Sequence, residues 1–178
     1  MSRCVSFFFV AALRDQTEFN RHFARRNLKP GGWIEFQEIH GNPLCDDGTM
    51  RDDDIMKMYY EISVEAMSHF GMDLSRSARV GEYLERAGFT NINCVVKKMP
   101  LGTWARDPRM RLGGLYISEL ITTSLPSMLQ GKPFVRLGLS EEERIVWGAR
   151  VREAIKETHV HRYYHYYFWY GQKPLEAE

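Results

Sequence analysis

The chain has 178 residues, of which 44% are hydrophobic and 26% charged, a balance typical of a globular protein with one core. Its 24 basic and 23 acidic residues leave a net charge of +1, which gives no indication of a nucleic-acid partner. Cys4, Cys45 and Cys94 are too far apart for a disulfide framework or a metal knuckle. We therefore expect a single cytoplasmic domain over residues 1–178.

The N-terminal run 4-CVSFFFVAAL-13 has two interpretations. It resembles a buried strand over residues 3–10, and it also resembles the short apolar core of a signal peptide. The run is about half of the ~20 apolar residues that a membrane helix needs, so we expect no membrane span.

The next segment predicts a helix over residues 15–27, because Asp15 and Glu18 have the spacing of a capping box. Pro30-Gly31-Gly32 forms a turn, and the apolar stretch 33-WIEFQEI-39 follows as a strand. A strand, a helix and a second strand make a crossover unit. The two strands should therefore be parallel neighbours.

Two helices and a strand occupy the middle of the chain. A helix over residues 52–70 carries apolar residues on two faces, which is typical of a central helix or a pocket wall. A second helix over residues 77–87 should end at Gly88, and a strand over residues 89–100 follows.

The last third of the chain predicts two helices and a strand. Residues 108–129 have helical periodicity, and Pro126 should bend or end that helix. Ser140 and Glu143 form a capping box that opens a final helix to residue 157. Residues 159–174 form a long aromatic strand.

The motif Leu28-Lys29-Pro30-Gly31-Gly32-Trp33 and the closing Tyr170-Gly171-Gln172-Lys173-Pro174 carry a family resemblance. Together with Arg86-Ala87-Gly88-Phe89, they resemble the C-terminal half of class I S-adenosylmethionine (SAM) methyltransferases, and most of all the LaeA-like group of fungal secondary metabolism. The resemblance implies an α/β fold, namely a truncated Rossmann-like sheet of about four strands with helical inserts that form a pocket.

The resemblance also implies a missing part. In that family a glycine-rich loop after the first strand approaches SAM, whereas this sequence has no Gly-x-Gly and only the pairs Gly31-Gly32 and Gly113-Gly114. Three hypotheses remain open: a methyltransferase with its cofactor half absent from this sequence, a short enzyme without a cofactor, and a non-catalytic partner-binding protein.

In the family's sheet order the first strand would lie beside the missing ones, and Phe7–Val10 would form an open apolar edge. Such edges pair or aggregate. We therefore expect a homodimer that covers this strand.

Several polar residues are candidates for chemistry. Glu35 and Glu38 are three apart on one strand and should face opposite sides, with Glu38 and His40 nearer a pocket mouth. His159, His161 and His165 share strand parity, but no further ligand has matching spacing, so we expect no metal site. Hydrolase, metalloprotease and nucleotide-triphosphatase motifs do not occur in the sequence.

Aromatic and methionine side chains predict an apolar pocket for a hydrophobic small molecule. Its expected walls, besides Glu38 and His40, are Met56, Tyr60, Met67, Trp104 and Tyr163. We expect His69, Tyr116 and Tyr59 to be catalytic through hydrogen bonds in a pericyclic or cyclising reaction without a cofactor. The alternatives are SAM-dependent methylation and a pseudoenzyme.

Overall fold

A computed structural model describes residues 2–8 and 27–175 of the chain. The helix predicted over residues 15–27, with Asp15 and Glu18, lies outside the described residues apart from residue 27. The elements in chain order are β1 (Ser2–Phe8), β2 (Leu28–Leu44), α1 (Ile55–Ser68), a 3-10 turn (Arg76–Arg79), α2 (Val80–Arg86), β3 (Thr90–Pro100), α3 (Pro108–Gln130), α4 (Lys132–Arg136), α5 (Glu141–Lys156) and β4 (Tyr163–Gln172).

The four strands form one sheet in the order β1-β2-β4-β3. β1 pairs with β2 in parallel, with Val5 opposite Ile34 and Phe7 opposite Phe36, so the predicted parallel crossover pair is confirmed. β4 runs antiparallel to β3, because Leu101 after β3 donates to the Arg162 carbonyl before β4 at 2.9 Å and Thr90 at its start donates to Gln172 at the end of β4. The predicted α/β fold class with four strands is confirmed.

One helix prediction needs correction, and of the two effects predicted for Pro126 the structure excludes one, the end of the helix. The segment predicted as one helix over residues 77–87 begins as a 3-10 turn, because Arg76 and Ala78 donate to the carbonyls three residues earlier. Pro126 lies inside α3 and does not end it. The flanking Leu125 and Leu129 are buried, and their packing outweighs the cost of the missing proline N–H.

The start of the last helix agrees with the prediction, and the start of the last strand does not. The capping box is confirmed, since Ser140 Oγ accepts from the Glu143 N–H at 3.1 Å and Glu143 accepts from the Ser140 N–H at 2.7 Å. β4 begins at Tyr163, so His159 and His161 lie in the turn before it. The shared strand parity predicted for His159, His161 and His165 is therefore wrong.

The described chain forms two compact units. The first, here called unit 1, comprises the described residues 2–8, 27–40, 72–97 and 165–175; unit 2 comprises residues 41–71 and 98–164. The single domain expected over residues 1–178 stays a prediction. Within residues 27–175, every helix is too short or too polar to cross a lipid bilayer.

Unit 1 is held together by the two motifs that carry the family resemblance. Gly31 N–H donates to the Lys173 carbonyl at 2.9 Å, and Lys173 N–H donates to the Gly32 carbonyl at 2.8 Å. Gly31 has a φ of +74°, a conformation that glycine adopts without strain. Beneath these bonds lies a core of apolar side chains, Leu28, Ile34, Phe36, Val80, Leu84, Ala87 and Phe89.

Unit 2 contains a buried ion pair. Arg162 Nη2 lies 2.6 Å from Asp54 Oδ2 and 2.6 Å from Glu157 Oε2. Arg162 also donates to the Ala154 carbonyl at 2.7 Å. Asp54 caps α1 by accepting from the Met56 N–H at 2.9 Å. These bonds tie the start of α1 to the end of α5 and to the approach of β4.

Candidate functional site

The candidate site begins where the described parallel pairing of β1 and β2 ends, at Phe8 opposite Gln37. Side chains alternate along β2, with Phe36 and Glu38 buried and Glu35 and Gln37 on the less buried face. The prediction that Glu35 and Glu38 face opposite sides is therefore confirmed. Glu38 and His40 lie within β2, one and three positions after Gln37, the last residue paired with the described part of β1.

His40 is the centre of a polar and aromatic group in unit 1. Its Nδ1 lies 2.9 Å from the hydroxyl of the buried Ser77. The Tyr167 ring meets it edge-on with centroids 6.4 Å apart, and His165 meets the same tyrosine edge-on at 5.9 Å. We call His40, Ser77, His165 and Tyr167 the His40 cluster.

Helix α2 and strand β4 position the His40 cluster. Trp169 donates from its indole nitrogen to the Ser77 carbonyl at 2.8 Å and stacks on Tyr167 with centroids 6.5 Å apart. Gly81 makes this approach possible, because a Cβ there would lie 2.4 Å from the Trp169 ring. The 3-10 turn that carries Ser77 is thereby fixed against the strand that carries His165 and Tyr167.

The electrostatics of the cluster favour a neutral imidazole. Burial lowers the pKa of His40 below 6.5, His165 lowers it further, and Asp73 opposes both effects. A neutral imidazole can accept a proton or a hydrogen bond near neutral pH. Burial also raises the pKa of Tyr167, so its hydroxyl stays protonated.

The three residues predicted as catalytic lie in different surroundings from one another, one in the core of unit 2 and two at its surface. Tyr59 is buried in unit 2, stacked on Phe134 with centroids 6.2 Å apart, and burial raises the pKa of its hydroxyl to about 12. Tyr116 is 65% exposed on α3, and His69 is exposed at the end of α1. Tyr59 is thus a core residue and Tyr116 a surface residue, so the structure does not bring these side chains together in one apolar pocket.

The other predicted pocket residues that belong to unit 2 also have structural partners. Met56 is buried on α1, and Tyr60 and Met67 are half-buried on the same helix. Trp104 donates to the Arg162 carbonyl at 2.8 Å, and its ring lies tilted by 33° against that of His161 with centroids 4.8 Å apart. Tyr163 donates to Asp46 at 2.7 Å. Their role as pocket walls stays a prediction.

Sequence reasoning missed Ser77 and Tyr167 as members of the site. His165, Tyr167 and Trp169 are spaced two apart on β4, and this spacing places them on one face of a strand. That periodicity could have identified the group, whereas nothing in the sequence places Ser77 beside His40. Among the described residues, no three His, Cys, Asp or Glu side chains are grouped closely enough to hold a metal ion.

The two glycine pairs of the sequence are packed against protein. Gly31-Gly32 pairs with Lys173 through backbone hydrogen bonds. In the other pair, a Cβ on Gly114 would lie 2.0 Å from the Gly102 carbonyl oxygen. Neither glycine pair therefore forms an open loop that could cradle a cofactor.

Comparison with known proteins agrees with the motifs. The chain is 31% identical over 155 residues to the secondary metabolism regulator LAE1 of Cochliobolus heterostrophus, covering 84% of this chain and 50% of that protein. It is 28% identical over 159 residues to the protein-methionine methyltransferase laeA of Emericella nidulans, covering 88% and 41%. The probable methyltransferase tdiE of the same fungus is 26% identical over 148 residues, covering 83% and 47%.

The chain is similar over most of its length to LaeA and to related methyltransferases of fungal secondary metabolism. The predicted resemblance is confirmed, and the chain spans about half the length of the curated relatives it matches. No protein-family profile matches it. Among solved structures, phosphoethanolamine N-methyltransferase 2 of Haemonchus contortus matches with a TM-score of 0.44 and 18% identity over 97% of this chain and 33% of that one.

Proposed function

We propose that this LaeA-like chain supplies the acceptor side of a SAM-dependent methyl transfer in fungal secondary metabolism. The observation that carries the proposal is the His40 cluster, because it places an imidazole, held by the Ser77 hydroxyl, against the aromatic rings of β4. The relatives are methyltransferases and secondary-metabolism regulators by name, which supports methyl transfer over the cofactor-free cyclisation predicted from the sequence.

In this proposal His40 receives a proton from the acceptor group or orients it by a hydrogen bond. Ser77 holds the His40 ring at Nδ1. Burial of the His40 ring and the nearby His165 both lower the pKa of His40, which keeps its imidazole neutral. Tyr167 and Trp169 offer apolar ring surface to a hydrophobic small molecule. The cyclase hypothesis, with His69, Tyr116 and Tyr59 as its catalytic residues, and the pseudoenzyme hypothesis stay predictions.

The test is binding of SAM and S-adenosylhomocysteine, measured by calorimetry on the purified 178-residue chain alone and mixed with the half of LAE1 that the match leaves uncovered. Because both glycine pairs of this chain are packed against protein, we expect no binding to either protein alone and micromolar binding to the mixture. The mixture should then form S-adenosylhomocysteine from SAM when a fungal extract supplies acceptors.

A substitution separates the role of His40 from cofactor binding. His40→Gln should lower the rate of S-adenosylhomocysteine formation by about 10²-fold or more and leave the affinity for S-adenosylhomocysteine unchanged. The matched control is His159→Gln, at an exposed position in the turn before β4, which should change neither. If the mixture binds no cofactor, and a folded chain alone binds none, methyl transfer is excluded and cyclisation becomes the hypothesis to test.

A further inference from the structure

Helix α3 in unit 2 has an apolar face that no described residue covers. Its buried side, which includes Ile117, Leu125 and Leu129, packs within unit 2. On the opposite side Leu112 is 49% exposed, Tyr116 is 65% exposed and Leu120 is 47% exposed. A contiguous row of large apolar side chains in water is typical of a protein interface.

The spacing on this face is that of a coiled-coil seam. Arg109, Leu112, Tyr116 and Glu119 are separated by three, four and three residues, which places them along one stripe of the helix. All four are exposed. Within residues 27–175, the structure describes no hydrogen bond or ion pair from the Arg109 guanidinium or the Tyr116 hydroxyl. We call these four residues the α3 seam.

We propose that the α3 seam binds the same seam of a second copy of this chain, with the two helices antiparallel. In that register Arg109 meets the partner's Glu119, and Leu112 packs on the partner's Tyr116. Two-fold symmetry repeats both contacts, so the seam is complementary to itself in charge and in shape. The inference concerns assembly and is independent of the methyl-transfer proposal.

The charges on α3 select the antiparallel orientation. Glu119 is the only acidic residue between residues 108 and 130, and the basic residues Arg109 and Arg111 both lie in the first turns. A parallel pair would place Arg109 beside its own copy, and like charges at that distance repel. An antiparallel pair places each arginine beside a carboxylate and also opposes the two helix dipoles.

The expected dimer is weak. A single pair of helices buries less than the roughly 1,200–2,000 Å² of a standard protein interface, so the association should depend on protein concentration. It also differs from the dimer expected from the sequence, which would cover Phe7–Val10 at the N-terminal strand. Substitutions on α3 distinguish the two interfaces because they leave that strand unchanged.

The test is sedimentation equilibrium of the full chain over a wide range of concentration. Arg109→Glu and Glu119→Arg should each raise the dimer dissociation constant about tenfold or more, since each places like charges together. The double variant R109E/E119R should restore the affinity of the natural chain, because the reversed pair is again complementary. Tyr116→Glu should remove the dimer.

The matched control is Ile145→Glu on α5, at another exposed apolar position. It should leave the dissociation constant unchanged, and circular dichroism checks that each variant is folded. A chain that is monomeric at every concentration contradicts the proposal. So does a dimer that R109E and Y116E leave intact, or a double variant that fails to recover.

Discussion

At the scale of single residues, the surroundings of His40 in the candidate site lower the pKa of its imidazole. Burial lowers its pKa first, and the neighbouring His165 lowers it further. Ser77 and Tyr167 also contact it, and the Asp73 carboxylate acts on it electrostatically. Its protonation is therefore coupled both to folding and to the charge of His165.

The depressed pKa predicts a pH dependence of stability. As the pH falls below 6.5, the unfolded chain binds a proton at His40 that the folded chain does not. The free energy of unfolding should therefore decrease in this range, down to the folded-state pKa, and be constant with respect to this group above 6.5. Urea denaturation on both sides of that pH measures the decrease, and His40→Gln should reduce it.

His165→Gln provides an independent measurement. Removing the second imidazole takes away a charge that opposes protonation of His40, so the pKa of His40 should rise toward its ordinary value. Histidine NMR titration reports this pKa directly. An unchanged pKa would mean that burial alone sets it. His69→Gln is the control for the denaturation series, since His69 is exposed in unit 2.

At the scale of elements, the contact between α2 and β4 depends on one missing side chain. A Cβ on Gly81 would lie 2.4 Å from the Trp169 ring, closer than real contacts permit. Gly81→Ala should therefore lower the free energy of unfolding by about 1–3 kcal/mol, as overpacking in a core does. Urea denaturation measures the loss.

Two further variants test the cause of that loss. Gly41→Ala places its Cβ 3.6 Å from the Tyr60 ring, an ordinary contact, and should change stability by less than about 1 kcal/mol. Trp169→Phe in the Gly81→Ala background should recover part of the loss, because the smaller ring leaves room. Equal losses for Gly81→Ala and Gly41→Ala would contradict the steric explanation.

The elements show what local sequence can determine. The capping box at Ser140 and Glu143, the helix start at Pro108 and the parallel pairing of the first two strands all followed from short-range patterns. Pro126 did not end its helix, because the burial of Leu125 and Leu129 is a tertiary effect. β4 likewise begins only at Tyr163. The residue before it, Arg162, points its side chain into the interior of unit 2 and pairs there with Asp54, which is also a tertiary contact.

At the scale of the whole molecule, the described chain forms two compact units. In unit 2 the buried Arg162, whose side chain is 4% exposed, pairs with the buried Asp54 and with the exposed Glu157. Arg162→Gln leaves the buried Asp54 carboxylate without its cation, which typically costs about 3–5 kcal/mol. We expect this loss to be concentrated in unit 2.

Hydrogen exchange with peptide resolution tests that expectation. Arg162→Gln should speed amide exchange in residues 41–71 and 98–164, and Gly81→Ala should do so in residues 28–40, 72–97 and 165–175. The exposed Lys156→Gln, which breaks only a surface pair with Glu153, is the control and should change neither set. Equal loss in both sets from either variant would show that the two units unfold together.

The sequence by itself determined the parallel strand pair and the capping box at Ser140, because hydrophobic periodicity and helix caps act over a few residues. Its two motifs carried the family resemblance, and the resemblance implied the fold class. The sequence also placed Glu35 and Glu38 on opposite faces of β2. Only the tertiary structure decided which polar residues meet. Ser77 reaches His40 across 37 positions of sequence, and Tyr59 and Tyr116 separate into core and surface. Such contacts depend on how the elements pack together. A pattern of apolar residues shows which face of an element is buried, but not which residues of another element it meets.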